Sequence, residues 1–167
     1  MIAPKDIHKI AKQYTDVNSR FMMVLKNEAA TDVLDIQFRD LHNEIFIRDA
    51  YDCCKCANCC KRYDIRVEQT DIPAIAAHLG QTESAFIGQY LTKDDEEPGV
   101  FHIKDKPCSF LDTTGKCRIY EVRPLVCREF PHTNKAGRLY HLAGMFDFAE
   151  DCHVVFEIIE QLKRMYG

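Results

Sequence analysis

Several features that define common protein classes are missing from this chain of 167 residues. No run of about 18 apolar residues occurs, which excludes a membrane-spanning helix. The net charge is −4 with no basic excess, so binding to nucleic acid is not expected. The glycine-rich phosphate loop, the dinucleotide-binding fingerprint and the nucleophile elbow are all absent, so these enzyme motifs give no lead. Tryptophan, low-complexity linkers and internal repeats are absent as well.

The first residues also lack an export signal, because no apolar core followed by a small-residue cleavage site is visible. We therefore expect a cytoplasmic protein in a reducing compartment, where structural disulfides are rare. The length suits a single domain over 1–167, which can bury roughly 70% of its unfolded surface. Three regions make up this predicted domain: a helical region at 1–50, a cysteine-rich region at 51–152 and a helix at 153–167.

Cysteine, in contrast, is abundant, with nine residues in the chain. Five fall within one stretch of eight residues and four follow further on: Cys53, Cys54, Cys56, Cys59 and Cys60, then Cys108, Cys117, Cys127 and Cys152. Thiols at this density oxidise and exchange unless they are held as ligands. The odd total and the poor geometry for pairing neighbouring cysteines argue against disulfides. We interpret the cysteines as metal ligands, with disulfides and a redox relay as the alternatives.

The spacing within the first cluster suits soft or borderline metals, such as zinc, copper(I) and the iron of iron–sulfur clusters. Cys53-x2-Cys56-x2-Cys59 matches the run that holds iron–sulfur clusters in bacterial ferredoxins, but the fourth cysteine of that run is missing. Zinc ribbons differ too, since their cysteine pairs are separated by a longer stretch. A continuous helix over 53–60 would place Cys53, Cys56 and Cys60 on one face. Eight thiolates would fill two tetrahedral sites, or one cluster and a second site.

Basic residues accompany the later cysteines and could balance the charge of metal-bound thiolates. Arg123 and Arg128 flank Cys127, so we predict that they donate hydrogen bonds to the sulfurs around the metal. His132 and His153 lie beside cysteine positions and are alternative ligands, although placement on the surface or in the core is the default for histidine.

Apolar periodicity predicts a mainly helical α+β fold. Steps of three and four along 1–50 form two stripes, which predict a helical hairpin or one long bent helix. The same steps permit a coiled-coil dimer or the docking of a partner protein. The stripes consist of Ile7, Ile10, Tyr14, Val17, Phe21 and Val24, then Leu34, Phe38, Leu41 and Ile45. The buried face of a C-terminal helix is predicted to consist of Val155, Ile158, Ile159, Leu162 and Met165.

Short strands, turns and helices are predicted between these helices, around a metal-stapled core. The expected segments are strands at 63–67 and 100–103, helices at 71–79 and 83–91, and one or two strands within 137–148. A hairpin-like turn at 112–115 should bring Cys108 and Cys117 together. Pro124 should open a short helical turn that carries Cys127.

Two long motifs carry a family resemblance. The first is Cys-Cys-Lys-Cys-Ala-Asn-Cys-Cys from Cys53, and the second joins the segment around Cys108 to the stretch from Cys117 to Pro131. From Tyr51 to Cys152 the chain resembles the YkgJ-type cysteine-cluster family, described as a zinc- or iron-chelating domain with the CxxCxxCC signature. The resemblance implies eight ligands, with Cys54 as a spare thiol outside the signature: Cys53, Cys56, Cys59, Cys60, Cys108, Cys117, Cys127 and Cys152.

The resemblance therefore implies a protein that binds zinc or iron through clustered thiolates, with an iron–sulfur cluster as one form and with the metal organising the fold. Metal ions are the expected partners, and the helices of 1–50 are the expected surface for any protein partner. A similar domain resembles part of flagellin lysine methylase, so an enzyme or enzyme component that modifies a protein or peptide is the alternative. No full catalytic set is visible in the sequence.

Overall fold

The computed structural model describes residues 7–49 and 52–167. Within these ranges the protein is mainly helical with a small antiparallel sheet, which confirms the predicted α+β class. The first residues of the predicted helical region and its boundary at 50 and 51 lie outside the described residues. The chain divides into two compact units. We call them the helical unit, made of the described residues up to Asp52 and of Pro131–Gly167, and the cysteine unit, Cys53–Phe130. The single domain expected over 1–167 stays a prediction.

In chain order, the elements within the described residues are α1 (Ile7–Ala11), a 3-10 turn (Lys12–Tyr14), α2 (Thr15–Glu28), α3 (Thr31–Asp49), α4 (Cys53–Cys56), α5 (Asn58–Arg62), β1 (Arg66–Glu68), α6 (Ile72–His78), α7 (Glu83–Tyr90), β2 (Leu91–Lys93), β3 (Val100–Ile103), a 3-10 turn (Tyr120–Val122), α8 (Leu125–Glu129), a 3-10 turn (Arg138–His141), α9 (Leu142–Ala149) and α10 (His153–Tyr166). The strands form one sheet in the order β1-β3-β2, with both pairs antiparallel. The strand predicted at 100–103 is therefore its centre, whereas β2 was not predicted.

The helical unit is built on long amphipathic helices. In α3 the predicted stripe of Leu34, Phe38, Leu41 and Ile45 is buried. Helix α2 ends where Ala29 adopts an extended conformation, which confirms a break between the two predicted helices. Helix α10 buries most of its predicted face, although Met165 is exposed.

The first predicted stripe is wrong in its middle part. Tyr14 and Val17 are exposed, while Asn18 and Leu25 are buried, so the buried face of α2 lies one residue further round. Aromatic residues of later helices pack against this region, and the rings of Phe21 and Phe146 have centroids 6.3 Å apart. The periodicity predicts a helix, whereas the residues that pack against it determine which of its faces is buried.

The strands predicted within 137–148 are also wrong, because this segment forms the third 3-10 turn and α9. The carboxylate of Asp35 in α3 accepts hydrogen bonds from the backbone N–H groups of Gly137 and Arg138, both at 2.7 Å. Those bonds anchor the start of the turn. The buried side chains of α9 then repeat at helical spacing: Leu142, Met145, Phe146 and Ala149.

The cysteine unit has a core of its own, formed by the sheet and by short helices. Its largest fully buried side chains include Phe86, Phe110, Ile72, Ile75 and Ile119. Helix α6 ends near Gly80, whose φ of 67° is easily adopted by glycine. Thr82 caps α7 by accepting a hydrogen bond from the N–H of Ala85 at 3.2 Å. Both helices predicted in this region are therefore confirmed.

Candidate metal centre

The cluster of five cysteines spans two short helices and not one. Ala57 separates α4 from α5 and adopts a left-handed conformation with a φ of 52°. Such a conformation is unfavourable for alanine, so the surrounding structure must hold it. The continuous helix over 53–60 that would place three cysteines on one face does not form, because the cluster is divided between α4 and α5. Helix α5 carries Cys59 and Cys60.

Cys60 connects the cluster to the later cysteines. Its carbonyl oxygen accepts a hydrogen bond from the backbone N–H of Cys108 at 2.8 Å. Its sulfur lies 3.9 Å from that of Cys59. The backbone contact therefore brings two motifs that are far apart in the chain next to each other.

The turn predicted at 112–115 is present. One carboxylate oxygen of Asp112 accepts hydrogen bonds from the N–H and hydroxyl groups of Thr114 and from the N–H of Lys116, at 2.7 to 2.9 Å. Leu111 pairs with Cys117 in an antiparallel bridge across the turn. The turn thus returns the chain past Cys108, as the sequence predicts. Gly115 has a φ of 88°, and an added Cβ would lie 3.4 Å from the carbonyl oxygen of Cys54.

Helix α8 supplies Cys127. The helix begins after Pro124, as predicted, and the N–H of Cys127 donates to the carbonyl of Pro124 at 2.9 Å. Cys60, Cys117 and Cys127 all pack against the core of the cysteine unit, in which Cys108 is buried. Four thiols from four separate segments therefore share one apolar surface.

These four thiols also interact electrostatically. Burial, followed by the neighbouring thiols of Cys60, Cys108 and Cys117, raises the pKa of Cys127 to about 12. Burial, with Cys60 and Cys117 adding to it, raises the pKa of Cys108 to about 11. Burial likewise raises the pKa of Cys117, and Cys60 adds to the effect. In each case a neighbouring thiolate opposes ionisation, because a like charge nearby disfavours the charged form.

Cys60 differs from the other three. A hydrogen bond with Cys59 lowers its pKa to about 7, and the positive charges of Lys61 and Arg123 contribute in the same direction. Cys60 is thus the thiol of this group that ionises most readily near neutral pH. Lys61 stands directly after the cysteine cluster, and its contribution was not predicted from the sequence.

The two predicted arginines have different surroundings. The guanidinium of Arg123 stacks 3.7 Å above the ring of Tyr120 and donates to the Tyr120 carbonyl at 2.7 Å. From there its charge favours the thiolate forms of three cysteines: Cys60, Cys117 and Cys127. Arg128 instead lies 3.6 Å from the buried carboxylate of Asp71. Their roles around a metal stay predictions.

The remaining cysteines are placed as follows. Cys53 is exposed and Cys56 is half-buried, both on α4. Cys54 is half-buried, and its thiol interacts with Cys117. Cys152 is buried in the helical unit, directly before α10, and its place as an eighth ligand stays a prediction.

The donor set suits a thiolate-binding metal, because four neighbouring sulfurs match the coordination number of zinc and of iron in sulfur-rich sites. The side chains do not yet have the geometry of ligands. In the part of the chain that the structure describes, no three histidine, cysteine, aspartate or glutamate side chains are arranged to hold an ion.

A comparison with protein families decides the classification. The CxxCxxCC family, described as "Putative zinc- or iron-chelating domain", matches residues 52–152. The chain belongs to this family. The match confirms the resemblance seen in the cysteine motifs, and zinc or iron chelation is what the family's description suggests.

A curated protein is similar to part of the chain. Uncharacterized protein MJ0661 of Methanocaldococcus jannaschii is 35% identical over 85 residues, which cover 50% of this chain and 46% of that protein. The chain thus spans about half the length of this relative. No solved structure matches the chain. Within the described ranges, none of the helices combines the length and apolar character needed to cross a membrane.

Proposed function

We propose that the cysteine unit binds zinc or iron through clustered cysteine thiolates, and that the metal stabilises this unit. The observation that carries the proposal is that four thiols from separate segments lie in or against the same apolar core: Cys60, Cys108, Cys117 and Cys127. They come from α5, from both arms of the turn at 112–115 and from α8. A bound ion would crosslink these segments in addition to their apolar packing and their backbone hydrogen bonds.

Charge supports the same function. Four thiolates around a divalent ion leave a net charge of about −2, which nearby cations must offset. Arg123 and Lys61 are the cations that favour the thiolate of Cys60. The half-buried position of Arg123 on the ring of Tyr120 holds its charge in place. We assign to Arg123 the role of balancing the charge of the ligands.

The environments of the buried thiols predict that metal binding releases protons. Near neutral pH the burial of Cys108 and Cys127 favours their protonated forms. Each must lose its proton to become a ligand, so uptake of metal should acidify a weakly buffered solution. Cys60 ionises most readily of the four thiols, so we expect its sulfur to form the first bond to the metal. The other cysteines of the signature, Cys53, Cys56 and Cys59, are proposed to complete a second site or an iron–sulfur cluster.

Elemental analysis of protein purified without oxygen tests the proposal. We expect stoichiometric zinc in colourless protein, or iron with labile sulfide in brown protein, and the result decides between zinc and an iron–sulfur cluster. Cys127→Ser should lower the metal content, whereas Cys54→Ser, a change just outside the signature, should retain it. The absence of both metals from the parent protein, or equal contents in the parent protein and Cys127→Ser, would contradict the proposal.

A further inference from the structure

We propose that Asp71 is a positioning residue for the metal centre: it holds the first turn of α8 in place and thereby sets the position of Cys127. The inference rests on the proposed function and deepens it. Asp71 lies in the cysteine unit between β1 and α6, in the stretch between Cys60 and Cys108 that contains no cysteine. Nothing in its sequence neighbourhood suggests a part in metal binding.

The two carboxylate oxygens of Asp71 bind two different segments. One accepts a hydrogen bond from the N–H of Glu68, the last residue of β1, at 3.1 Å. The other accepts from the N–H of Leu125, the first residue of α8, also at 3.1 Å and 54 residues later in the chain. The carboxylate is therefore a bridge from the sheet to the helix that carries Cys127.

The Asp71 carboxylate is buried, and this restricts the positions that α8 can adopt. The Asp71 side chain is only 6% exposed, and the guanidinium of Arg128 lies 3.6 Å from the oxygen that binds Leu125. A buried carboxylate without partners would be strongly unfavourable, so the hydrogen bonds and the nearby cation fix where α8 can sit. Arg128 is also part of α8, so the helix contacts Asp71 at two points.

Helix α8 needs such an anchor. It has five residues, and an isolated helix of that length is unstable in water. Pro124 precedes it and has no side chain that can accept a hydrogen bond from the free N–H groups of the first turn. Asp71 supplies that acceptor from outside the helix. Cys127 follows Leu125 by two residues, so a shift of the first turn moves its sulfur directly.

A proline substitution can remove the Leu125 hydrogen bond alone. Proline lacks the N–H and fits the first position of a helix, which Leu125 occupies. The preceding residue must be extended, and Pro124 already is, with a ψ of 151°. The Leu125 side chain is 46% exposed, so little packing is lost. Leu125→Ala is the matched control, because it shortens the same side chain and keeps the N–H.

The test uses the full chain loaded with Zn²⁺ and challenged with a chelator. We expect Leu125→Pro to release zinc on the order of tenfold more readily than Leu125→Ala, as changes around metal ligands commonly do. Alkylation should label Cys127 faster in the loaded Leu125→Pro protein, while Cys108 stays protected. General loosening of the fold would expose both thiols, so this selectivity separates positioning from a merely structural role.

Each outcome has a definite meaning. Equal zinc retention by the two Leu125 variants, or parallel labelling of Cys108 and Cys127, would overturn the role of Asp71 and leave the proposed function standing. A parent protein that takes up no zinc or iron would overturn the proposed function and this inference with it. Asp71→Asn provides a second variant, since an amide has one acceptor oxygen and cannot accept both hydrogen bonds. It should release zinc at least as readily as Leu125→Pro.

Discussion

The helical unit and the cysteine unit are stabilised by different means. Three helices of 14, 19 and 14 residues, α2, α3 and α10, dominate the helical unit, and each buries an apolar stripe. The helices of the cysteine unit have four to eight residues and its strands three or four. Short elements satisfy few of their own backbone groups, so that unit depends more on side-chain bridges. Asp71 and Asp112 are examples of such bridges.

The buried polar groups of the two units also differ. In the helical unit His42 contacts the hydroxyl of Thr133 at 2.6 Å, and burial lowers the pKa of this histidine. In the cysteine unit burial raises the pKa of three thiols. One unit therefore favours a neutral base and the other favours neutral acids. Acid should therefore lower the stability of the helical unit, and alkali should lower the stability of the cysteine unit.

Metal removal should produce the largest difference between the units. We expect chelation to lower hydrogen-exchange protection in Cys53–Phe130 more than in the helical unit, because apparent zinc-binding energies of about 10–16 kcal/mol are known for small thiolate folds. Helices α3 and α10 should stay protected, since their cores are apolar. Hydrogen exchange followed by mass spectrometry measures both units in one sample. Equal loss of hydrogen-exchange protection in the two units would show that the metal does not stabilise the cysteine unit selectively.

Truncation of a buried apolar side chain in α3 should destabilise the helical unit. Phe38 is fully buried in α3, so Phe38→Ala should lower the free energy of unfolding by about 3–5 kcal/mol. Ile47 lies on the same helix and is 84% exposed, so Ile47→Ala should change the free energy of unfolding little. Urea unfolding measures the stability of both variants, and elemental analysis should find the metal content unchanged. Loss of metal in the Phe38→Ala protein would contradict independent stabilisation.

Alkaline pH should destabilise the metal-free protein through the cysteine unit. The folded-state pKa of Cys108 and of Cys127 is raised above the ordinary thiol value of 9.0. Their contribution to stability is complete below pH 9 and is lost as pH rises toward about 11 to 12. Thermal melts across this range should show a falling midpoint, and Cys127→Ala should reduce the slope. A slope that Cys127→Ala leaves unchanged would count against this source of sensitivity.

Acid pH should have the smallest effect, through His42. Because its folded-state pKa lies below the ordinary value of 6.5, the unfolded chain binds this proton more readily. The stabilising contribution is complete above that value and is lost as pH falls below it. Melts between pH 7 and 5 should show a modest decline that His42→Gln reduces. An identical decline in His42→Gln would exclude His42 as its cause.

Features that depend on local spacing could be predicted from the amino-acid sequence. The stripe from Leu34 to Ile45, the C-terminal helix and the central strand at 100–103 were all predicted. So were the turn at 112–115 and the helix after Pro124, because proline, glycine and aspartate restrict the backbone where they stand. The cysteine spacing was sufficient to indicate the family.

Features that depend on distant partners could not be predicted in this way, because they arise from contacts between segments. Asp35 anchors a turn 102 residues later, and Asp71 anchors α8 from 54 residues away. The break at Ala57 likewise needs support from outside its own helices, since alanine does not favour that conformation. The electrostatic contact of Cys60 with Cys108, Cys117 and Cys127 depends on how the segments pack. Periodicity describes one element at a time, whereas hydrogen bonds and burial between elements exist only once the chain has folded.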